Sequence, residues 1–155
     1  MSESNKLIKL NLGCGNRKMH GFINVDARED VKPDFVADVT KINEQFNGVD
    51  LIYACHVLEH FPLKPSTFQP TPYKEVLKNW FSTLKDGGVL RLAIPDIDAA
   101  CRYYVDTGDL DILYAFFYDW SKTEHFYVDD YSQAYLPHMD KKNGKLMSLN
   151  VEAIK

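Results

Sequence analysis

The apolar positions of this chain fall into short blocks, separated by polar, glycine-rich or proline-rich stretches. Residues 7–12 (LIKLNL) alternate only weakly and predict a buried strand. Residues 22–25 predict a short second strand that runs into Asp26, and residues 34–37 a third that leads to Asp38. Residues 50–54 predict a fourth. Residues 89–94 predict the clearest one, framed by Asp86-Gly87-Gly88 before it and Pro95-Asp96 after it. A last strand with alternating pattern is predicted over residues 146–154.

Helical spacing appears between these blocks. Residues 73–84 place Val76, Leu77, Trp80, Phe81 and Leu84 on one side. Asp96 or Asp98 can cap a helix running to about Asp106, where Thr107-Gly108 stops it. Residues 109–118 predict a short apolar helix, whose Tyr114, Phe116, Phe117 and Tyr118 suit a core or a subunit interface. Strands alternating with helices indicate an α/β domain with a mainly parallel, doubly wound sheet. Ligands of such sheets sit at the carboxyl ends of the strands. Gly13 to Gly15, Asp26, Asp38, Cys55 to His60, and Pro95-Asp96 all fall at those ends.

Composition narrows the picture without changing it. A length of 155 residues suits one domain spanning residues 1–155. A net charge of -4 gives no global attraction to nucleic acid phosphates, and Lys141, Lys142 and Lys145 read as a solvated turn. No apolar run reaches transmembrane length, and the polar start MSESNK is no signal peptide. Cys14, Cys55 and Cys101 are odd in number and widely spaced, which fits reduced thiols in a cytoplasmic protein.

The chemistry concentrates in the first strand–turn–strand unit. Gly13 and Gly15 let backbone N–H groups approach a ligand, and Asp26 can accept from two ribose hydroxyls. Gly-x-Gly also occurs in plain tight turns, and Asp38 can simply terminate a strand. Asp26 follows Gly15 by 11 residues, and no third glycine completes G-x-G-x-x-G, which argues against a dinucleotide. So short a connection has no room for a full crossover helix. One face of the sheet is then thinly covered, and a second copy of the chain, making a homodimer, is a candidate cover.

These residues resemble class I S-adenosylmethionine-dependent methyltransferases. The resemblance rests on Leu10-Asn11-Leu12-Gly13-Cys14-Gly15, on Asp26, on residues 50–60 (DLIYACHVLEH), and on residues 84–90 (LKDGGVL). It covers roughly residues 7–105. The tail around Asp129, Asp130, Tyr131, Tyr135 and His138 is similar to the ends of a small bacterial, type-11-like group of uncharacterised methyltransferases. The resemblance implies a Rossmann-like methyltransferase fold with S-adenosyl-L-methionine as cofactor. Gly13 and Gly15 would pass the methionine part, Asp26 would hold the ribose, Asp38 with Val39 would face the adenine, and Cys55 with His56 would line the floor. Leu12, Cys14 and Asn16 complete the implied cofactor loop. Such enzymes usually finish with two strands, whereas one is evident here, so the sheet is expected to be abbreviated at its C-terminal strands.

A sulfonium already carries an activated methyl group, so the protein must align an acceptor and exclude water. A base is needed only if the acceptor loses its proton early. His60, Glu59 and Asp96 are the candidates for that role or for contact with the acceptor, and they serve equally well as bonded loop residues. Residues 61–73 contain Pro62, Pro65, Pro70 and Pro72 and read as a lid, an acceptor wall or a plain surface loop. The expected activity is methyl transfer to a small-molecule or glycan-type acceptor. An alternative is a non-catalytic module that binds the cofactor or its demethylated product for a partner protein. A lesser alternative lies in His56-Val57-Leu58-Glu59-His60, which matches the H-x-x-E-H zinc-peptidase pattern. That pattern needs both imidazoles on one helix face, and Pro62 stands close behind it.

Overall fold

The computed structural model describes residues 7–113 and 148–155. Most of the predicted 109–118 helix, the group Asp129, Asp130, Tyr131, Tyr135 and His138, and the lysines Lys141, Lys142 and Lys145 lie outside the described residues. The chain divides into two compact units, Met1–Leu92 with Val151–Lys155, and Ala93–Asn150.

The strands are β1 (Lys9–Leu12), β2 (Ile23–Asp26), β3 (Phe35–Val36), β4 (Val49–Cys55), β5 (Leu84–Pro95) and β6 (Ser148–Ile154). They form one sheet in the order β3-β2-β1-β4-β5-β6. The pairs β1–β2, β1–β4 and β2–β3 are parallel, with Leu10 opposite Ile23 and Ile52, and Val25 opposite Phe35. Lys155 exchanges backbone bonds with Gly87 and Gly88, while Arg91 Nε reaches Glu152 Oε2 at 2.6 Å. Numbering rises along β5 as it falls along β6, so β6 runs against β5. The result is a mixed, mostly parallel Rossmann-like α/β sheet, with parallel strands leading and a reversed strand at the edge.

The first unit packs one face of this sheet with alternate strand residues, Leu10, Leu12, Val25, Ile52, Ala54, Leu90 and Leu92. Over them lie Val39 and Ile42 of a 3₁₀ stretch, Val39–Glu44, and helix α1, Tyr73–Thr83. Trp80 is 0% exposed, and its indole Nε1 donates to Val39 O at 2.7 Å, so its polar handle is satisfied where its ring is buried. Val76 and Trp80 face inward at helical spacing, as the sequence predicts, with Leu77 and Phe81 flanking; Thr83 is buried as well, and Leu84 belongs to β5 rather than to the helix.

The other face carries polar residues where an apolar strand pattern leads one to expect none. Asn11 is 0% and Asn24 4% exposed. Asn24 Oδ1 accepts from Asn11 Nδ2 at 2.9 Å and from Met19 N at 2.7 Å. Asn11 Nδ2 also reaches Arg17 O at 3.2 Å, and Asn24 Nδ2 reaches Met19 O at 3.3 Å. The connection from β1 to β2 contains no helix, as its length requires. Its backbone groups at Arg17, Met19 and Phe22 bond two strand side chains, beside backbone bonds within the loop.

Two strands differ from the pattern-based expectation, β5 in its start and β6 in its exposure. β5 starts at Leu84, directly after α1, and not at Val89. Asp86-Gly87-Gly88 reads as a turn, yet Gly87 and Gly88 already pair with Lys155. A Cβ on Gly88 would stand 2.8 Å from Val49 O, so glycine here permits close backbone approach. β6 carries an alternating pattern, but Leu149 and Val151 are both exposed at the sheet edge.

The second unit holds the end of β5, helix α2 (Ile97–Thr107) and a small core of Ala100, Tyr103 and Ile112. Asp96 Oδ1 accepts from Ala99 N at 3.1 Å and caps α2. Gly108, at φ +72°, closes it with its N–H on Tyr104 O at 2.7 Å.

Candidate functional site

Four parallel strands end on one edge of the first unit, at Leu12, Asp26, Val36 and Cys55. The loops that leave these strands are drawn together there. Gly13 adopts φ +64°, and a Cβ on it would lie 2.5 Å from Val57 Cγ2. The loop after β1 therefore touches the loop after β4, and only glycine fits between them. Cys14 N donates to Val25 O at 3.0 Å, extending the β1–β2 pairing by one residue. Gly15, at φ +50°, then turns its N–H onto Asp26 Oδ2 at 2.8 Å. Asp26 Oδ1 accepts from Arg28 N at 3.0 Å and from Arg28 Nε at a long 3.4 Å. Ala37 N donates to Asp26 O at 3.1 Å, which ties in the end of β3.

The β4 side is built on a strained residue. His56 takes φ +53°, a conformation that non-glycine residues avoid at a cost on the order of 1–3 kcal/mol. Its ring Nδ1 lies 3.0 Å from Glu59 Oε1. Both side chains are mostly covered, and Glu59 Oε2 is buried without a hydrogen-bond partner. Leu58–His60 is a single 3₁₀ turn. The H-x-x-E-H run thus lies on no α-helix, and its glutamate is held by the first histidine. The shared helix face that a zinc peptidase needs is not formed, which corrects that alternative. Among the described residues no group of three or more His, Cys, Asp and Glu is placed to hold a metal ion.

The remaining sequence candidates occupy distinct places. Asp38 Oδ1 accepts from Thr40 N at 2.8 Å and Thr40 Oγ1 at 2.7 Å, capping the Val39–Glu44 stretch. Val39 turns its side chain into the core, as does Leu12. Cys55 is buried at the end of β4, His60 is exposed, and Asn16 is exposed beside Gly15. Cys14 is fully buried, and burial, followed by the Asp26 charge, pushes its thiol above its ordinary range. The edge therefore brings together Gly13, Cys14, Gly15 and Asp26, and it joins His56 and Glu59 to them through Val57. Asp96 belongs to the second unit and caps α2 there.

Sequence reasoning passed over Asn11, Asn24, Asp34 and Arg28. Asp34 Oδ2 accepts from Asn24 N at 2.8 Å and Asn24 Nδ2 at 2.6 Å. Those bonds, the backbone one first, hold its carboxyl below the usual range. The legible signal was polar asparagine inside two apolar strand runs. Arg28 gave no signal.

This edge has the parts that a ribose-bearing ligand needs. Among the described residues, a Cβ on Gly15 would meet only the Arg28 guanidinium, at 3.5 Å. Asp26 is a mostly covered carboxylate with acceptor capacity beyond its two main-chain bonds.

No protein-family model matches the chain, and no curated protein does. Solved structures similar to it include an S-adenosylmethionine-dependent methyltransferase from Clostridium acetobutylicum, 18% identical with a TM-score of 0.47, matching 63% of this chain and 46% of that one. A SAM-dependent methyltransferase from Archaeoglobus fulgidus is 18% identical with a TM-score of 0.47, over 66% of this chain and 52% of that one. One from Mesorhizobium loti is 15% identical with a TM-score of 0.46, over 64% and 52% respectively. The chain spans about half the length of each of these structures.

Proposed function

We propose that this chain binds S-adenosylmethionine at the carboxyl edge of β1, β2 and β4 and transfers its methyl group to a small-molecule or glycan-type acceptor. The observation that carries this reading is the bond between Gly15 N and Asp26 Oδ2. It locks the glycine turn and the β2 carboxylate into one unit, over which, among the described residues, only the Arg28 guanidinium stands. Asp26 would hold the ribose hydroxyls, Gly13 and Gly15 would flank the methionine part, and Asp38 would face the adenine through the carboxylate oxygen that Thr40 leaves unused. When bound, the cofactor supplies a sulfonium-activated methyl group. The chain's own contribution is to orient the ligand, exclude water and align an acceptor. Cys55 and His56 form the floor of this site, with Glu59 holding the His56 ring. Glu59, His60 and Asp96 are the proposed groups for contact with the acceptor or for taking its proton. The proposed setting is the cytoplasm; no helix of the described residues is long and apolar enough to cross a membrane.

A second reading, a module that binds the cofactor or its product without transfer, is favoured by one observation. Glu59 and Asp96, two of the three candidate bases, are engaged in bonds that shape the fold. Calorimetry with S-adenosylmethionine and S-adenosylhomocysteine tests the shared premise, and both readings fail if neither ligand binds at millimolar concentration. Transfer of label from methyl-labelled cofactor into a cell extract then separates enzyme from module.

A further inference from the structure

The ribose reading of Asp26 has a stoichiometric consequence. A carboxylate offers about four acceptor positions. Gly15 N and Arg28 N fill two of them, and both are main-chain donors fixed by the fold. Arg28 Nε fills a third at 3.4 Å, which leaves one. A ribose diol brings two hydroxyl donors. It needs one position more than is vacant, and the guanidinium is the one donor that can leave. Its side chain is 59% exposed, whereas the Asp26 side chain beneath it is 9% exposed. The guanidinium also stands over Gly15, 3.5 Å from where a Cβ would be. It therefore covers both the carboxylate and the glycine beside it.

We infer that Arg28 is an internal competitor of the nucleoside at Asp26: its guanidinium occupies the ribose position in the free protein and swings out when the diol binds. Arg28 thus sets the affinity of the site without belonging to its fixed frame. The inference rests on the cofactor reading above, and its test separates the two. The probes are adenosine, which is uncharged and reports on the ribose position alone, and S-adenosylhomocysteine. Arg28→Ala and Arg28→Gln keep the main-chain donor to Asp26, and urea midpoints equal to that of the parent protein establish that both variants are folded.

Both variants should bind adenosine about two- to fivefold more tightly at low salt, the range expected for release of an exposed ion pair. The parent protein's affinity for adenosine should rise with ionic strength, because salt weakens the competing pair, and the variants should lose that dependence. If the parent protein binds and the variants bind equally well or more weakly, Arg28 is no competitor, while the Asp26 assignment stands. If adenosine and S-adenosylhomocysteine bind neither parent nor variants, the competitor and the cofactor reading fall together.

Discussion

At Gly13 two independent constraints fall on one residue. Its φ of +64° disfavours any side chain, and Val57 Cγ2 occupies the place of a Cβ at 2.5 Å. Gly15 has the first constraint without the second, since among the described residues only a movable guanidinium tip lies near it. Gly13→Ala should therefore destabilise the fold by about 2–4 kcal/mol, through backbone strain together with overpacking against Val57. Gly15→Ala should cost less than that. Urea unfolding of the two variants checks the ranking, and equal midpoints would mean that the β1 and β4 loops do not pack as described. His56 carries a positive φ without being glycine, and the bond to Glu59 fixes its ring. The glycines were legible as a pattern. The reason for the first one was not, because it lies on Val57, 44 residues away in the chain.

Among the elements, the connection between β1 and β2 is the informative case. Its length excluded a crossover helix, and its fold depends instead on Asn11 and Asn24. Asn24 alone links β1, the loop at Met19 and Asp34. Asn24→Ala should destabilise the protein by about 2–4 kcal/mol, because Met19 N loses its acceptor and Asn11 Nδ2 one of its two among covered groups. A midpoint within experimental error of the parent would show that this loop does not depend on the asparagine. The helices were readable because each carries its own period and stop signals, as with Trp80 on α1 and Gly108 after α2. The start of β5 is not legible in the sequence, because Asp86-Gly87-Gly88 has turn chemistry. What makes those residues strand-like is pairing with Lys155, which no local pattern reveals.

Across the molecule, two carboxylates tie distant parts of the first unit together and respond to acid. Asp50 bonds Lys85 and accepts from Ile8 N at 2.7 Å; these contacts, the lysine first, hold its carboxyl below the ordinary range. Asn24 does the same for Asp34. A depressed carboxyl contributes stability that is complete above its unfolded value, about pH 4, and lost as pH falls through the folded value. The urea midpoint should therefore hold steady near neutrality and decline below about pH 4, with a shallower decline in Asp50→Asn. A midpoint that rises on acidification would contradict these assignments. The parallel sheet and the edge where its strands end could be read from the alternation of strands and helices. The bonds that make the edge a single unit could not, because Gly15 to Asp26 and His56 to Glu59 depend on backbone angles that the sequence only permits.

The proposed function stands or falls on Asp26 as the receiver of the ribose of S-adenosylmethionine. The decisive measurement is calorimetry of S-adenosylhomocysteine on the parent protein and on Asp26→Ala, with folding of the variant verified. The parent should bind, and the variant should lose about 2–3 kcal/mol, from the removal of a charge-assisted pair of hydrogen bonds. Equal affinity in the two proteins, or binding to neither, would contradict the assignment.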